Sequence, residues 1–138
     1  MKSALSIISR IKEGANRFII EQLNQNGIEG FVPSHGDILV VLYKYDKITM
    51  KEIADKIHRT KATVTVLVDK LEKLGFIKRE KSNEDNRITY ITLTKKGLEF
   101  KPVFEQISQN LNTMLYKNFS KEEVKILDEL LNKMKKNV

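Results

Sequence analysis

The 138-residue chain contains no cysteine. Disulfides, thiolate metal ligands and thiol redox sensing are therefore excluded. Long apolar runs are missing too. The longest, Ile38 to Tyr43, falls well short of the ~20 residues a membrane-crossing helix needs. There is no glycine-rich phosphate loop, no nucleophile elbow and no catalytic carboxylate pair. Histidine is scarce: His35 and His58 are the only two, and neither belongs to a persuasive metal-ligand pattern, although His35 and Asp37 are close in sequence. The expectation is a chain with no catalytic residues, no metal and no cofactor. A secretory leader after Lys2 is not expected, because Arg10 and Lys12 break the apolar stretch that follows. The expected location is cytoplasmic, with no membrane partner. Repeats, low-complexity tracts and linkers are also lacking, so a single domain over 1–138 is expected.

What is present is a globular composition, 41% apolar and 31% charged, with a net charge of +7. The excess is uneven. Lys44 to Lys101 carries 15 Lys and Arg against 9 Asp and Glu, while the rest carries 10 against 9. A basic middle between near-neutral flanks points to an anionic partner met by the middle, or to a lysine-rich surface that serves only solubility.

The apolar periodicity predicts a mostly helical chain. Leu5, Ile8, Ile11, Ala15, Phe18 and Ile19 form a stripe on a first helix over 4–23. After a loop with two glycines, Pro33-Ser34-His35-Gly36-Asp37 opens a second helix, with Ser34 and Asp37 as its capping pair. Thr49 to Glu52 is a capping box for a short third helix, broken at His58-Arg59. Thr60 caps a fourth helix with Val64, Leu67, Val68, Leu71 and Leu74 inward, and Gly75 stands where a left-handed C-terminal residue belongs. Phe76–Glu80 and Ile88–Leu93 predict a hairpin around a polar turn, with Ile77, Ile91 and Leu93 on its core side. A long fifth helix follows from Thr94 to about Lys117, with a kink or a delayed start at Pro102. Ser120 to Glu123 caps a last helix with Val124, Leu127, Leu130, Leu131 and Met134 on one inward side.

Two short helices joined by about three residues, inside the basic region, read as a helix-turn-helix. The outward residues of its second helix include Lys61, Ala62, Thr63, Thr65, Val66, Asp69 and Lys70. Ala62, Thr65, Val66 and Asp69 share one face. Small and β-branched residues gain nothing on a solvated helix, but hydroxyls and methyls suit the base edges of a major groove. The hairpin completes a winged helix. Arg87 at its tip suits a narrow minor groove, and Asp85 can hold its guanidinium in a fixed fork. The histidine at the second helix's start, His35, and its neighbour Ser34 are placed to approach a phosphate through the helix N-terminus.

Thr63-Val64-Thr65, Leu67-Val68-Asp69-Lys70-Leu71-Glu72, Leu74-Gly75-Phe76-Ile77, Asp85-x-Arg87 and Leu93-Thr94-x-x-Gly97 together resemble the multiple antibiotic resistance regulator (MarR) family over about 33–97. The Asp-x-Arg wing followed by Leu-Thr-x-x-Gly is the specific part of the match. The resemblance implies a winged helix-turn-helix lobe over 33–97, with dimerisation helices over 1–25 and 98–138. It implies a homodimeric transcription regulator, a repressor, on a double-stranded, pseudo-palindromic operator. Ser34, His35, Lys51, Thr60, Lys61, Ala62, Thr63, Thr65, Val66 and Lys70 would contact DNA, as would Lys81, Asn83, Asn86 and Arg87 of the wing, with Asp85 aiming Arg87. Ile8, Ile11, Leu111, Leu115, Val124, Leu127, Leu130 and Leu131 would dimerise. A small, often anionic aromatic effector would release DNA from a pocket using Arg17, Phe31 or Tyr43. Two positions depart from the family pattern: His58 stands where relatives usually have glycine, and Val66 where many have arginine. The other readings are a winged-helix protein-interaction module and a non-specific architectural DNA binder.

Overall fold

The computed structural model describes residues 3–138; Met1 and Lys2 lie outside it. Helix α1 (Ala4–Gln25) is capped by the Ser3 hydroxyl. Then come α2 (Pro33–Lys44), β1 (Ile48–Thr49), α3 (Met50–Ile57), α4 (Lys61–Lys73), β2 (Ile77–Lys81), β3 (Thr89–Leu93), α5 (Lys95–Glu99), α6 (Lys101–Leu115) and α7 (Lys121–Lys135). The mostly helical architecture with a hairpin wing agrees with the sequence reading. The sheet, however, has three strands. Two-residue β1 pairs antiparallel with β3, Ile48 opposite Ile91, on the side of β3 away from β2. Nothing in so short a stretch alternates, so periodicity gave no sign of it.

Local chemistry sets the ends of these elements. Thr49, Thr60, Thr94 and Ser120 each accept a backbone N–H three residues ahead. His58 takes up the left-handed conformation, φ 56° and ψ 46°, at the end of α3, a conformation that glycine adopts without steric cost. Gly75 does the same after α4, at φ 85°. The long helix expected from Thr94 is divided at Phe100. Pro102 sits in the first turn of α6, where its missing N–H costs nothing. Continued helix would have required that N–H to bond the Leu98 carbonyl.

One hydrophobic core runs through Leu23, Ile38, Leu39, Ile53, Val64, Val68, Leu71, Phe76, Ile91, Phe100 and Ile107. Four rings tie it together. Phe31 meets Phe76 edge-on at 6.2 Å, Phe76 lies 5.0 Å from Phe100, and Phe100 lies 6.2 Å from Phe104. Gly97 lets α5 close against β2: any side chain there would collide with the Phe76 carbonyl. That carbonyl is held in place, because it accepts the Thr94 N–H at 3.0 Å.

The last helix departs from expectation. No residue of α7 is buried. Leu130, Leu131 and Met134, read as inward, are 57%, 42% and 44% exposed. Amphipathic periodicity shows that a face will be covered but not by which chain.

Candidate nucleic-acid interface

The α3–α4 pair and the wing present one continuous surface. At the start of α4 the Thr60 side chain accepts the Thr63 N–H (3.2 Å), and its hydroxyl donates to Thr63 Oγ1 (2.9 Å). The Thr65 hydroxyl donates to the Lys61 carbonyl at 2.9 Å. Ala62 and Thr63 are exposed, Thr65 is half-buried, and Val66 is 68% exposed. A valine side chain left that open on a helix is largely uncovered by its own chain.

The wing tip is organised by its short polar side chains. Ser82 Oγ accepts the N–H groups of Glu84 and Asp85, and the Ile88 N–H donates to the Asp85 carbonyl. The Asp85 carboxylate then accepts three bonds from Arg87: the backbone N–H at 3.0 Å, Nε at 3.1 Å and Nη2 at 3.1 Å. This fork holds the Asp85 carboxyl below its usual pKa and raises that of Arg87. The Arg87 side chain nevertheless remains 90% exposed. It borders one groove with Lys51 and Lys61, so three cations from α3, α4 and the wing converge. Lys81 and Asn83 line a different groove, with Lys47, Glu80 and Tyr90; Asn86 is exposed near the tip.

Lys70 is exposed on α4, and its ammonium rests over Gly30 at the entrance to α2. Ser34 is half-buried in the first turn of α2. His35 is misassigned as a phosphate contact. It is only 3% exposed, its Nδ1 accepts the Val32 N–H at 2.8 Å, and its own N–H donates to the Val32 carbonyl at 2.9 Å. Val32 is thus the N-cap of α2, and His35 in the first turn reaches back to it, in place of the Ser34–Asp37 pair expected from sequence. Burial first, and the Lys70 charge second, lower its pKa from 6.5. The neutral ring is the folded form, so this contribution to stability is complete above about pH 6.5. It is lost as pH falls through the depressed folded value. Thermal melts between pH 7.5 and 5 are expected to show a larger loss for the native chain than for His35→Gln; parallel losses would contradict the assignment.

Sequence reading missed Arg79. From β2 its Nη1 donates to Glu72 and its Nη2 to Asp69, both at 2.6 Å. These bonds raise the Arg79 pKa, Asp69 being the largest cause. Separations of 7 and 10 residues match no local pairing rule, so no signal marked the pair in advance.

The three residues suggested for a ligand pocket are not brought together. Phe31, with Ile19, Leu23, Phe104, Ile107 and Leu111, lines a cavity of about 150 Å³ whose polar edge is Asp37 and Ser108. Burial pushes the Asp37 carboxyl up, partly offset by Arg59 and Lys12. Tyr43 lies in a separate depression with Leu42, Thr92 and Leu98. Its hydroxyl donates to the Gly97 carbonyl at 3.0 Å, and burial, then Glu105, pushes its pKa up to about 12. Arg17 lines neither. Among the described residues there is no cluster able to hold a metal ion and no helix long and apolar enough to cross a membrane.

The family model described as "MarR family" matches residues 33–89, which covers the helix-turn-helix and most of the wing. The HTH-type transcriptional regulator YdgJ of Bacillus subtilis is 30% identical over 109 residues; the match covers 79% of this chain and 66% of that relative, just under two-thirds of its length. The HTH-type transcriptional regulator MhqR of the same organism is 26% identical over 129 residues, 93% and 86% of the two chains. Among solved structures, MepR of S. aureus in complex with DNA superposes with a TM-score of 0.88 at 26% identity, covering 100% of both chains. A winged helix-turn-helix geometry, the Asp85–Arg87 wing and these matches agree: the chain belongs to the MarR family, whose members are transcriptional regulators and not enzymes.

Proposed function

We propose that the protein is a homodimeric, sequence-specific DNA-binding repressor. The lobe over 33–97 reads a pseudo-palindromic operator, and the helices over 1–25 and 98–138 dimerise. The observation that carries this reading is the Asp85–Arg87 fork. It presents an almost fully exposed guanidinium beside Lys51 and Lys61 and next to the open face of α4. In this reading α4 enters the major groove with Ala62, Thr63, Thr65 and Val66, and Arg87 enters the adjacent minor groove. Ser34, Thr60 and Lys70, with Lys81, Asn83 and Asn86 of the wing, serve the phosphate backbone.

Dimerisation is supported by the apolar side chains of the outer helices. Ile11 is 52% exposed, Ile126 49% and Phe119 44%. Ile8, Leu111, Leu115, Val124 and Leu127 are half-buried. Apolar side chains left this open are of the kind that a second copy covers.

Release by an effector is supported by the Phe31 cavity. Its only ionisable lining residue is the carboxyl of Asp37. In this reading an uncharged or cationic apolar molecule suits that lining better than an anionic one.

Selection of bound duplexes from random DNA is expected to return a two-fold symmetric site, and Arg87→Ala should bind it about ten- to a hundredfold more weakly. Asp85→Asn keeps the arginine but loosens the fork, and should fall between. Unchanged titrations at fixed salt for both variants would remove Arg87 from the interface.

A further inference from the structure

The C-terminal half of α4 carries two acids, which is a poor arrangement for a helix that approaches DNA. Asp69 shares its face with Ala62, Thr65 and Val66. Its side chain is 51% exposed and that of Glu72 is 40% exposed. Unpaired, both would lie within a Debye length of phosphates, about 10 Å at 0.1 M salt, and repel them. An unpaired aspartate is also an acceptor for the exocyclic amino group of cytosine. Neither carboxylate is unpaired here. Arg79 leaves β2 on the same face as buried Ile77, two residues earlier, and so points at α4. It engages Asp69 and Glu72 with separate nitrogens at 2.6 Å.

We propose that Arg79 sets DNA affinity and base preference without touching DNA, by masking Asp69 and Glu72 on the reading helix. The proposal rests on the reading that α4 faces DNA. It differs from a mechanical role, in which the same bonds simply brace the wing against α4. The two roles separate by rescue. A brace is lost whichever partner is removed, whereas a mask is needed only while the acids remain.

The test uses the full chain and the duplex that the native protein selects from a random pool, at about 0.1 M salt. Arg79→Gln is expected to bind about tenfold more weakly, the scale of two uncompensated charges close to phosphates. Asp69→Asn with Glu72→Gln is expected to bind at least as tightly as the native chain. The triple variant should recover native affinity. Repeating the selection with Arg79→Gln should admit cytosine at a position where the native protein does not favour it. Lys135→Gln, at the far end of α7, controls for the loss of one positive charge.

Equal weakening of all three variants indicates a brace and overturns the proposal. So does an Arg79→Gln affinity no lower than that of Lys135→Gln. These are surface ion pairs, so the fold is expected to survive their loss; circular dichroism checks this, and the Asp69/Glu72 variant keeps the proposal open to refutation if Arg79→Gln misfolds. Val66→Glu separates the two levels of failure. If it leaves binding intact, α4 does not face DNA and both readings fall. If it abolishes binding while the rescue fails, the masking role alone falls.

Discussion

Gly97→Ala is expected to destabilise the fold by about 3 kcal/mol or more, the upper range for forcing an atom into a filled core. The reason is steric. The new methyl would collide with the Phe76 carbonyl and press on Leu93 Cδ2 at 3.0 Å. The carbonyl cannot swing away without giving up the Thr94 N–H, 3.0 Å from it, and the Thr94 hydroxyl also holds Gly75. For a chain of this size the loss corresponds to a melting temperature roughly 10 °C lower. Thermal unfolding followed by circular dichroism measures it directly. A shift within a few degrees of zero would mean that α5 can ride away from β2 freely. Glycine in the Leu-Thr-x-x-Gly pattern is therefore a packing requirement between two elements, and not a matter of an unusual φ.

The second large effect concerns assembly. Leu127→Asp combined with Leu130→Asp places two charges on the apolar side of α7, where Leu130 is already 57% exposed. No buried residue lies on α7, so the lobe built from α2 to β3 should remain folded. Light scattering is expected to return the 16.0 kDa chain in place of a species twice that mass. Operator affinity should drop by about 10²–10⁴, the usual advantage of holding two half-site readers together. A dimer that survives both substitutions, or a monomer that keeps full affinity, would contradict the proposed assembly.

How much was legible in the sequence follows the range of each interaction. Caps and turns depend on three or four neighbouring residues, and Thr60, Gly75 and the left-handed His58 all stand where their local chemistry put them. Pro102 announced a break, and the helix divides two residues before it. The Asp85–Arg87 fork was readable because its partners are two residues apart. Failures came from longer reach. The cap of α2 went to Ser34 and Asp37 on residue type alone, whereas packing against Phe31, 5.2 Å away, buries His35 and turns its ring back on Val32. Arg79 was invisible because its acids sit on another element. The grouping of Arg17, Phe31 and Tyr43 came from a family layout, and packing puts Phe31 and Tyr43 in different hollows, with Arg17 in neither.

The division at Phe100 has a mechanical consequence. In a dimer joined through its outer helices, each reading lobe hangs from α6 as from the leg of a pair of callipers. The leg is about 22 Å long at 1.5 Å per residue. At its lobe end Pro102 supplies no N–H, so the backbone ladder is one rung short there. Phe100 is only 6% exposed, between the rings of Phe76 and Phe104, so the same point is packed into the core. A change in the span between two such tips would turn at this joint and repack these rings, without melting either leg.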